Sequence, residues 1–312
     1  MSHKDAVIFA RSLKLDIAID LGGFTQDSRT GIFAMRAAPI QVSYLGYSGT
    51  MGADFIDYII ADKTLIPENL KKFYTEKIVY MPNSFMVNDT KNNLSKRKFS
   101  KKEVGLPEKG FIFSCFNHHY KINSKIFKSW MRILSAVDGS VLWLSDGNKT
   151  GKNNLKKEAE KHNIDYKRLI FAPRLEMRED HLKRIQLADL FLDTLPYNAH
   201  ATTSDALQVG LPVLTCIGKS FASRVAASLI NSVNLPELIT SSLMEYEDEA
   251  IALATNSKKF INLKNKLDAN LSSSPLYNTP LYVKQLELSY LSMYERYNND
   301  RRPDDIIIEN LI

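Results

Sequence analysis

The sequence predicts an α/β protein built on parallel, doubly wound sheets. Three observations predict it. From Phe111 onward, short β-rich runs alternate with segments of helical periodicity. Further strand-like runs precede a polar stretch at residues 88–110. The 312 residues, 44% apolar and 10% aromatic, can fill the cores of two ordinary domains.

In chain order, residues 17–21, 40–45, 55–60 and 78–81 read as strands, so the first region is α/β too, though short and abrupt in its start. Residues 88–110 carry no periodic apolar pattern and hold the densest positive patch, Lys96-Arg97-Lys98 with Lys101-Lys102. That stretch reads as a solvated linker rather than a nucleic-acid or acidic-lipid site. Strands then follow at 111–116, 141–145, 169–173, 190–195 and 212–217. Helices fall between and after them at 124–137, 154–162, 180–188, 203–209 and 220–233. Beyond Glu245 the pattern is helical. It ends in residues 281–297, whose stripe of Leu281, Leu286, Leu288, Tyr290, Leu291 and Tyr294 is a packing face rather than a cofactor box. The expected domains are 1–95, 96–265 and a C-terminal helical part, 266–312, packing back on both.

The formal charge of +6, from 41 basic and 35 acidic residues, is a mild excess over a large surface and gives no nucleic-acid stripe. No apolar run has signal-peptide or membrane-spanning length, so a cytoplasmic protein without membrane or nucleic-acid partners is expected. Cys115 and Cys216 sit in apolar strand-like runs and are expected to be reduced, inert core thiols. His3, His118, His119, His162, His181 and His200 show no H-x-x-x-H pair, and no metal site is expected. The neighbours His118 and His119 would point to opposite sides of an extended loop.

In open α/β sheets, ligands bind beyond the carboxyl ends of strands, which singles out two loops. Asn117-His118-His119-Tyr120-Lys121 supplies a cation and several donors. The segment from Tyr197 to Asp205 runs into a helix closed by Gly210 and Pro212. The free N–H groups and dipole of such a helix start form an anion site, and small Ala and Thr side chains let a diphosphate approach the backbone. Lys121 would neutralise the same phosphates. Thr202, Thr203, Ser204 and Asp205 would equally cap a helix in any protein, and both readings stand. His200 and Asn198 at the junction favour the site. His181 and Arg184, spaced i, i+3, share a helix face and, taken alone, read as an exposed surface pair.

At these residues the chain resembles the catalytic region of the O-GlcNAc transferase and SPINDLY-like family. The matching stretches include Gly23-Phe24-Thr25, Arg36-Ala37-Ala38-Pro39-Ile40-Gln41, Leu45-Gly46-Tyr47, Asp57-Tyr58 and Phe116-Asn117 with Tyr120-Lys121. Further on come Leu192-Asp193-Thr194, Asn198-Ala199-His200, Gly210-Leu211-Pro212, Ala222-Ser223-Arg224 and Ser273-Ser274-Pro275. The resemblance implies a GT-B architecture, two Rossmann-like domains facing across a cleft, the first incomplete. It implies a metal-independent, inverting transfer of a sugar, GlcNAc from UDP-GlcNAc, to Ser or Thr of a protein or peptide, with no cofactor. Lys121 and His200, with Ala201 and Thr202, would hold the diphosphate. Asp205 would meet the ribose, and His181 and Arg184 the base. Arg178 would stand near the base and ribose, His118 near the phosphates, and Leu45 and Gly46 on the sugar side. A GDP-fucose-dependent transferase and a non-catalytic nucleotide-sugar binder are the alternatives.

Ala201 departs from a family Thr, His118 from an amide, Arg178 from a Lys and Ser48 from a Pro. The family also has a longer first half, with a histidine proposed to act in catalysis, and usually tetratricopeptide repeats that bind acceptors. Met1 falls late in that half. The expectation is therefore a chain that binds nucleotide sugar and transfers it feebly until upstream sequence is restored.

Overall fold

The computed structural model describes residues 1–89 and 94–311. In chain order the elements are α1 (His3–Ser12), β1 (Ile17–Asp20), α2 (Thr30–Ala34), β2 (Ile40–Ser43), β3 (Tyr58–Asp62), β4 (Lys77–Met81), β5 (Ile112–Cys115), α3 (Ser124–Ala136), β6 (Val141–Ser145), α4 (Lys149–Lys161) and β7 (Leu169–Ala172). There follow α5 (Arg178–Ile185), β8 (Leu190–Leu192), α6 (Ala201–Gln208), β9 (Val213–Cys216), α7 (Val225–Ser232), β10 (Ile239–Thr240), α8 (Leu243–Thr255), α9 (Ser257–Leu271), α10 (Thr279–Asn298) and β11 (Ile306–Ile307). They form two compact units, one from Met1–Asn88 with the chain from Asn278 onward, the other Asp89–Tyr277. Each is built on one parallel sheet, and the α/β class read from the sequence holds for both. The described part of the expected linker, 94–110, contains no helix or strand; its residues 90–93 lie outside the described ones.

In the first unit the strand order is β1-β2-β3-β4-β11. Ile40, Val42, Tyr58, Ile60, Val79 and Met81 pack with Tyr282 and Met293 of α10 into one core cluster. Of the stripe expected to pack, Leu286 and Tyr290 lie against this cluster, whereas Leu288, Leu291 and Tyr294 are exposed; the buried face of α10 is Tyr282, Gln285, Ser289 and Met293. The Arg36-to-Gln41 motif is structural. Arg36 makes a bidentate pair with Asp57, both contacts at 2.9 Å, and Asp57 also accepts the Gln41 amide at 2.7 Å. The Gln41 side chain accepts Ala37 N and donates to the carbonyls of Phe33 and Phe55. These bonds satisfy backbone groups where β2 and β3 begin.

The second unit has the order β10-β9-β8-β5-β6-β7. The chain runs outward from β5 through β6 to β7, then returns and runs the other way from β8. The topological switch point lies between β5 and β8, where such a sheet opens a crevice at its carboxyl edge. Amphipathic α3 shows how this sheet is covered. Its N-cap Asn123 accepts the amides of Lys125 and Ile126. One face buries Ile126, Phe127, Trp130, Met131 and Leu134. Trp130 Nε1 donates to the Tyr246 hydroxyl of α8 at 3.1 Å, which donates to the Asp193 carbonyl at 3.0 Å. Replacing such a buried tryptophan by alanine costs about 3–5 kcal/mol. Cys115 and Cys216 are free and buried, and burial pushes both thiols above their ordinary range.

Candidate functional site

The site is organised around Asp193, just past the end of β8 and 1% exposed. Its carboxylate accepts the amides of Thr194 at 2.7 Å and Ala199 at 2.6 Å, and the Thr215 hydroxyl at 2.7 Å. It thereby folds residues 193–200 into a tight loop. Within the loop, the Thr194 hydroxyl donates to the Tyr197 carbonyl and the Asn198 side chain to the Thr194 carbonyl. Across the switch point, Asn117 beyond β5 donates to Thr194 Oγ1 at 2.8 Å. Burial pushes Asp193 up to about 7 against the hydrogen bonds it accepts.

Lys121 is held against this loop. Its ammonium donates to the Asn198 carbonyl at 2.7 Å and lies 3.8 Å from the centre of the Tyr197 ring. Partial burial lowers its pKa, and the neighbouring Asp193 opposes that. The loop ends at His200, the N-cap position of α6, whose Nε2 donates to the Ala222 carbonyl at 3.2 Å. Burial and nearby Lys121 push His200 down to about 4, so it is neutral near pH 7.

The side chain of His200, at the N-cap, makes no capping hydrogen bond to α6. Thr203 donates to the Ala199 carbonyl, and Asp205 pairs with Arg178. The first amides of the helix, at Ala201 and Thr202, lack intrahelical acceptors as at any helix start, and beside them stands the Lys121 charge. Ala201 is exposed and Thr202 half-buried.

Beyond β5, β6 and β7 opens a cleft of about 530 Å³, lined among others by Phe116, His118, Glu176, Arg178, His181 and Arg184. Arg184 is only 3% exposed and donates to the Pro173 carbonyl at 2.6 Å and to His181 Nδ1 at 3.1 Å. The pair is thus largely internal, not the exposed surface pair that its spacing alone suggested. Because Nδ1 accepts, the proton of neutral His181 sits on Nε2. Burial, then Arg184 and Arg178, push this imidazole down to about 4. Burial raises Asp205, opposed by its Arg178 partner. His118 lies on the cleft and stacks on Tyr120 at 4.5 Å, while His119 turns to the Ser145 carbonyl at 2.8 Å, so the two diverge. Among the described residues no three His, Cys, Asp or Glu side chains gather as a metal site. No described helix is long and apolar enough to cross a membrane.

Lys121, His118, Arg178, His181, Arg184, His200, Ala201, Thr202 and Asp205 all fall in the second unit, at the carboxyl edge of its sheet. Leu45 and Gly46 belong to the first unit, just after β2. Leu45 has φ +70°, and Gly46 N donates back to the Tyr44 carbonyl at 3.0 Å, closing a strained three-residue turn. A Cβ on Gly46 would lie 1.9 Å from the Leu21 carbonyl oxygen, so the loops after β1 and β2 require glycine there. Asn117 and Tyr197 entered the sequence reading only as members of the two candidate loops, and Asp193 and Thr194 only through the resemblance; the structure gathers all four around the candidate site. The available signal for Asp193 was an acid directly ending an apolar strand.

The sequence pattern of glycosyl transferase family 41 matches residues 6–102 and 95–286. The probable UDP-N-acetylglucosamine–peptide N-acetylglucosaminyltransferase SEC of Arabidopsis thaliana is 38% identical over 95% of this chain and 31% of its own length. The SPINDLY protein of Solanum lycopersicum is 33% identical over 95% of this chain and 32% of its own. The chain thus spans about a third of these relatives. A solved mutant of Thermobaculum terrenum O-GlcNAc transferase superposes with a TM-score of 0.86 at 28% identity, over 94% of this chain and 56% of that one. Its likeness accords with the GT-B type of α/β fold. By the pattern that covers nearly all of its length and by this kinship, the chain belongs to glycosyl transferase family 41.

Proposed function

We propose that the site transfers N-acetylglucosamine from UDP-N-acetylglucosamine to Ser or Thr hydroxyls of proteins, with inversion and without a metal. The observation that carries this reading is the convergence of the Lys121 ammonium and the start of α6 on one spot at the switch point, next to a cleft that offers the neutral His181 Nε2–H. The cleft suits a planar base with carbonyl acceptors, and Asp205 a ribose hydroxyl. The names of the relatives supply the donor and the peptide acceptor.

In the transfer, the acceptor hydroxyl passes its proton to solvent water as its oxygen bonds the anomeric carbon. The bond from that carbon to the β-phosphate breaks and leaves its electron pair on the phosphate. Charge therefore grows on the diphosphate in the transition state. A fixed ammonium and backbone N–H groups stabilise it in the way a divalent ion does in other transferases.

Calorimetry with UDP in EDTA tests the site. Lys121→Met is expected to weaken binding by about tenfold or more, the scale of one lost charge-assisted hydrogen bond. Absence of UDP and GDP binding with or without Mg²⁺ would overturn the assignment, and a clear preference for GDP would transfer it to the fucose-donor reading. Peptide glycosylation, with the anomeric configuration read by NMR, tests transfer and inversion.

A further inference from the structure

We infer that Tyr197 is a positioning residue whose ring seats the Lys121 ammonium in the diphosphate site; this rests on reading Lys121 as the phosphate-binding cation. A lysine is a point charge on a flexible stem, and holding it in one place costs rotamer entropy. Here two contacts fix it. One N–H goes to the Asn198 carbonyl at 2.7 Å, and the Tyr197 ring centre lies 3.8 Å from Nζ, well inside cation–π range. Of the three ammonium donors, one is thereby used on the carbonyl and one side is turned to the ring, leaving donor capacity for an incoming oxyanion.

The seat is itself rigid. The Tyr197 carbonyl accepts the Thr194 hydroxyl at 2.6 Å, and Asn198 N donates to the Ala222 carbonyl at 2.9 Å. The Tyr197 ring stands 5.1 Å from His200 and 6.2 Å from Tyr120. At 38% exposure it is not a core-filling side chain, so core packing does not by itself account for an aromatic ring here.

The seat also bears on the charge state of Lys121. Partial burial disfavours its charged form; the groups facing it are Asp193, which favours the cation, and the buried Cys115 thiol and neutral His200, which carry no charge near pH 7. The negative face of the Tyr197 ring adds to the favourable side.

The experiment compares wild type, Tyr197→Phe, Tyr197→Leu and Lys121→Met by UDP calorimetry from about pH 7 to about pH 10, where the ligand's own titration cancels between variants. A thermal melt of each variant establishes folding, and the backbone bond to Thr194 is kept in all. Phenylalanine is expected to preserve affinity and pH profile, whereas leucine weakens UDP by about fivefold to tenfold, as for loss of a partly desolvated cation–π contact. With leucine, binding should also fade at a lower pH than in wild type. A leucine variant with wild-type affinity and profile would overturn the inference, as would a phenylalanine variant as weak as leucine, which would assign the effect to the hydroxyl. Wild-type UDP binding by Lys121→Met would instead sink the phosphate assignment itself, a separate failure.

Discussion

Asp193→Asn isolates the electrostatic cost of the residue that shapes the site loop. Burial raises the native carboxyl to about 7, against an ordinary 3.8 in the unfolded chain. Between those values the native protein holds a proton that the unfolded chain has released. Stability from this group is therefore full below about 3.8, declines as pH rises, and levels off above about 7. A gap of about three pK units at roughly 1.4 kcal/mol each amounts to about 4 kcal/mol. Asparagine does not titrate. Its carbonyl can keep the amides of Thr194 and Ala199, and its NH₂ can meet the Thr215 hydroxyl, which then turns to accept. The difference in unfolding free energy between variant and wild type should move by about 4 kcal/mol in favour of the variant from pH 4 to pH 8. His181 and His200, lowered to about 4, act in the opposite sense over this range, and comparing the two proteins cancels them. Urea unfolding followed by tryptophan fluorescence reads the second unit alone, because Trp130 and Trp143 both lie there, fully buried. A difference that does not change with pH would show that the hydrogen bonds to the charged carboxylate offset its desolvation.

Gly46→Ala, with its Cβ placed 1.9 Å from the Leu21 carbonyl, should cost about 4 kcal/mol or more and open the first unit to limited proteolysis; an unchanged digestion pattern would contradict the close approach. Asp57→Ala strips Arg36 and the Gln41 amide of their shared acceptor and should cost about 2 kcal/mol, moderated by the 42% exposure of Arg36. Hydrogen exchange in β2 and β3 should quicken while UDP affinity stays unchanged. Since His181 and His200 are lowered to about 4, neither should impose a step on UDP affinity between about pH 5.5 and 8; a titration near 6.5 assigned to either by NMR would refute their buried, neutral state.

The β/α alternation was legible because each strand of the second unit is an apolar run bounded by polar turns, and the loops after β5 and β8 followed from the open-sheet rule. Edges were less legible. The run at 190–195 stops as β8 at Leu192, because Asp193 turns its side chain back to cap the loop amides. The helix read at 220–233 is a short 3₁₀ turn, Phe221–Ser223, before α7. α1 went unread although Ser2 and Asp5 form a capping box, a signal the polar start concealed. β11 has two residues in a charged tail, too few for any periodicity, and exists because β4 offers an edge. In the site, Lys121, His181, Arg184 and His200 drew attention by type, whereas Asp193 and Thr194 were carried only by the resemblance. Tyr197 drew no such attention, because an aromatic ring after a proline carries no sign of what lies above it.

The pairing of β11 with β4 joins Ile306 to Val79 across the whole of the second unit. During synthesis the ribosome therefore releases every residue of the second unit before the strand and helix that finish the first. The early strands must wait with one edge and one face uncovered, while the continuous second unit folds as it emerges. The waiting intermediate has unpaired backbone and apolar surface of the kind chaperones bind. Translation pauses or substitutions within residues 89–277 would then trap the first unit half-built, a failure at a distance that no contact in the finished molecule would reveal.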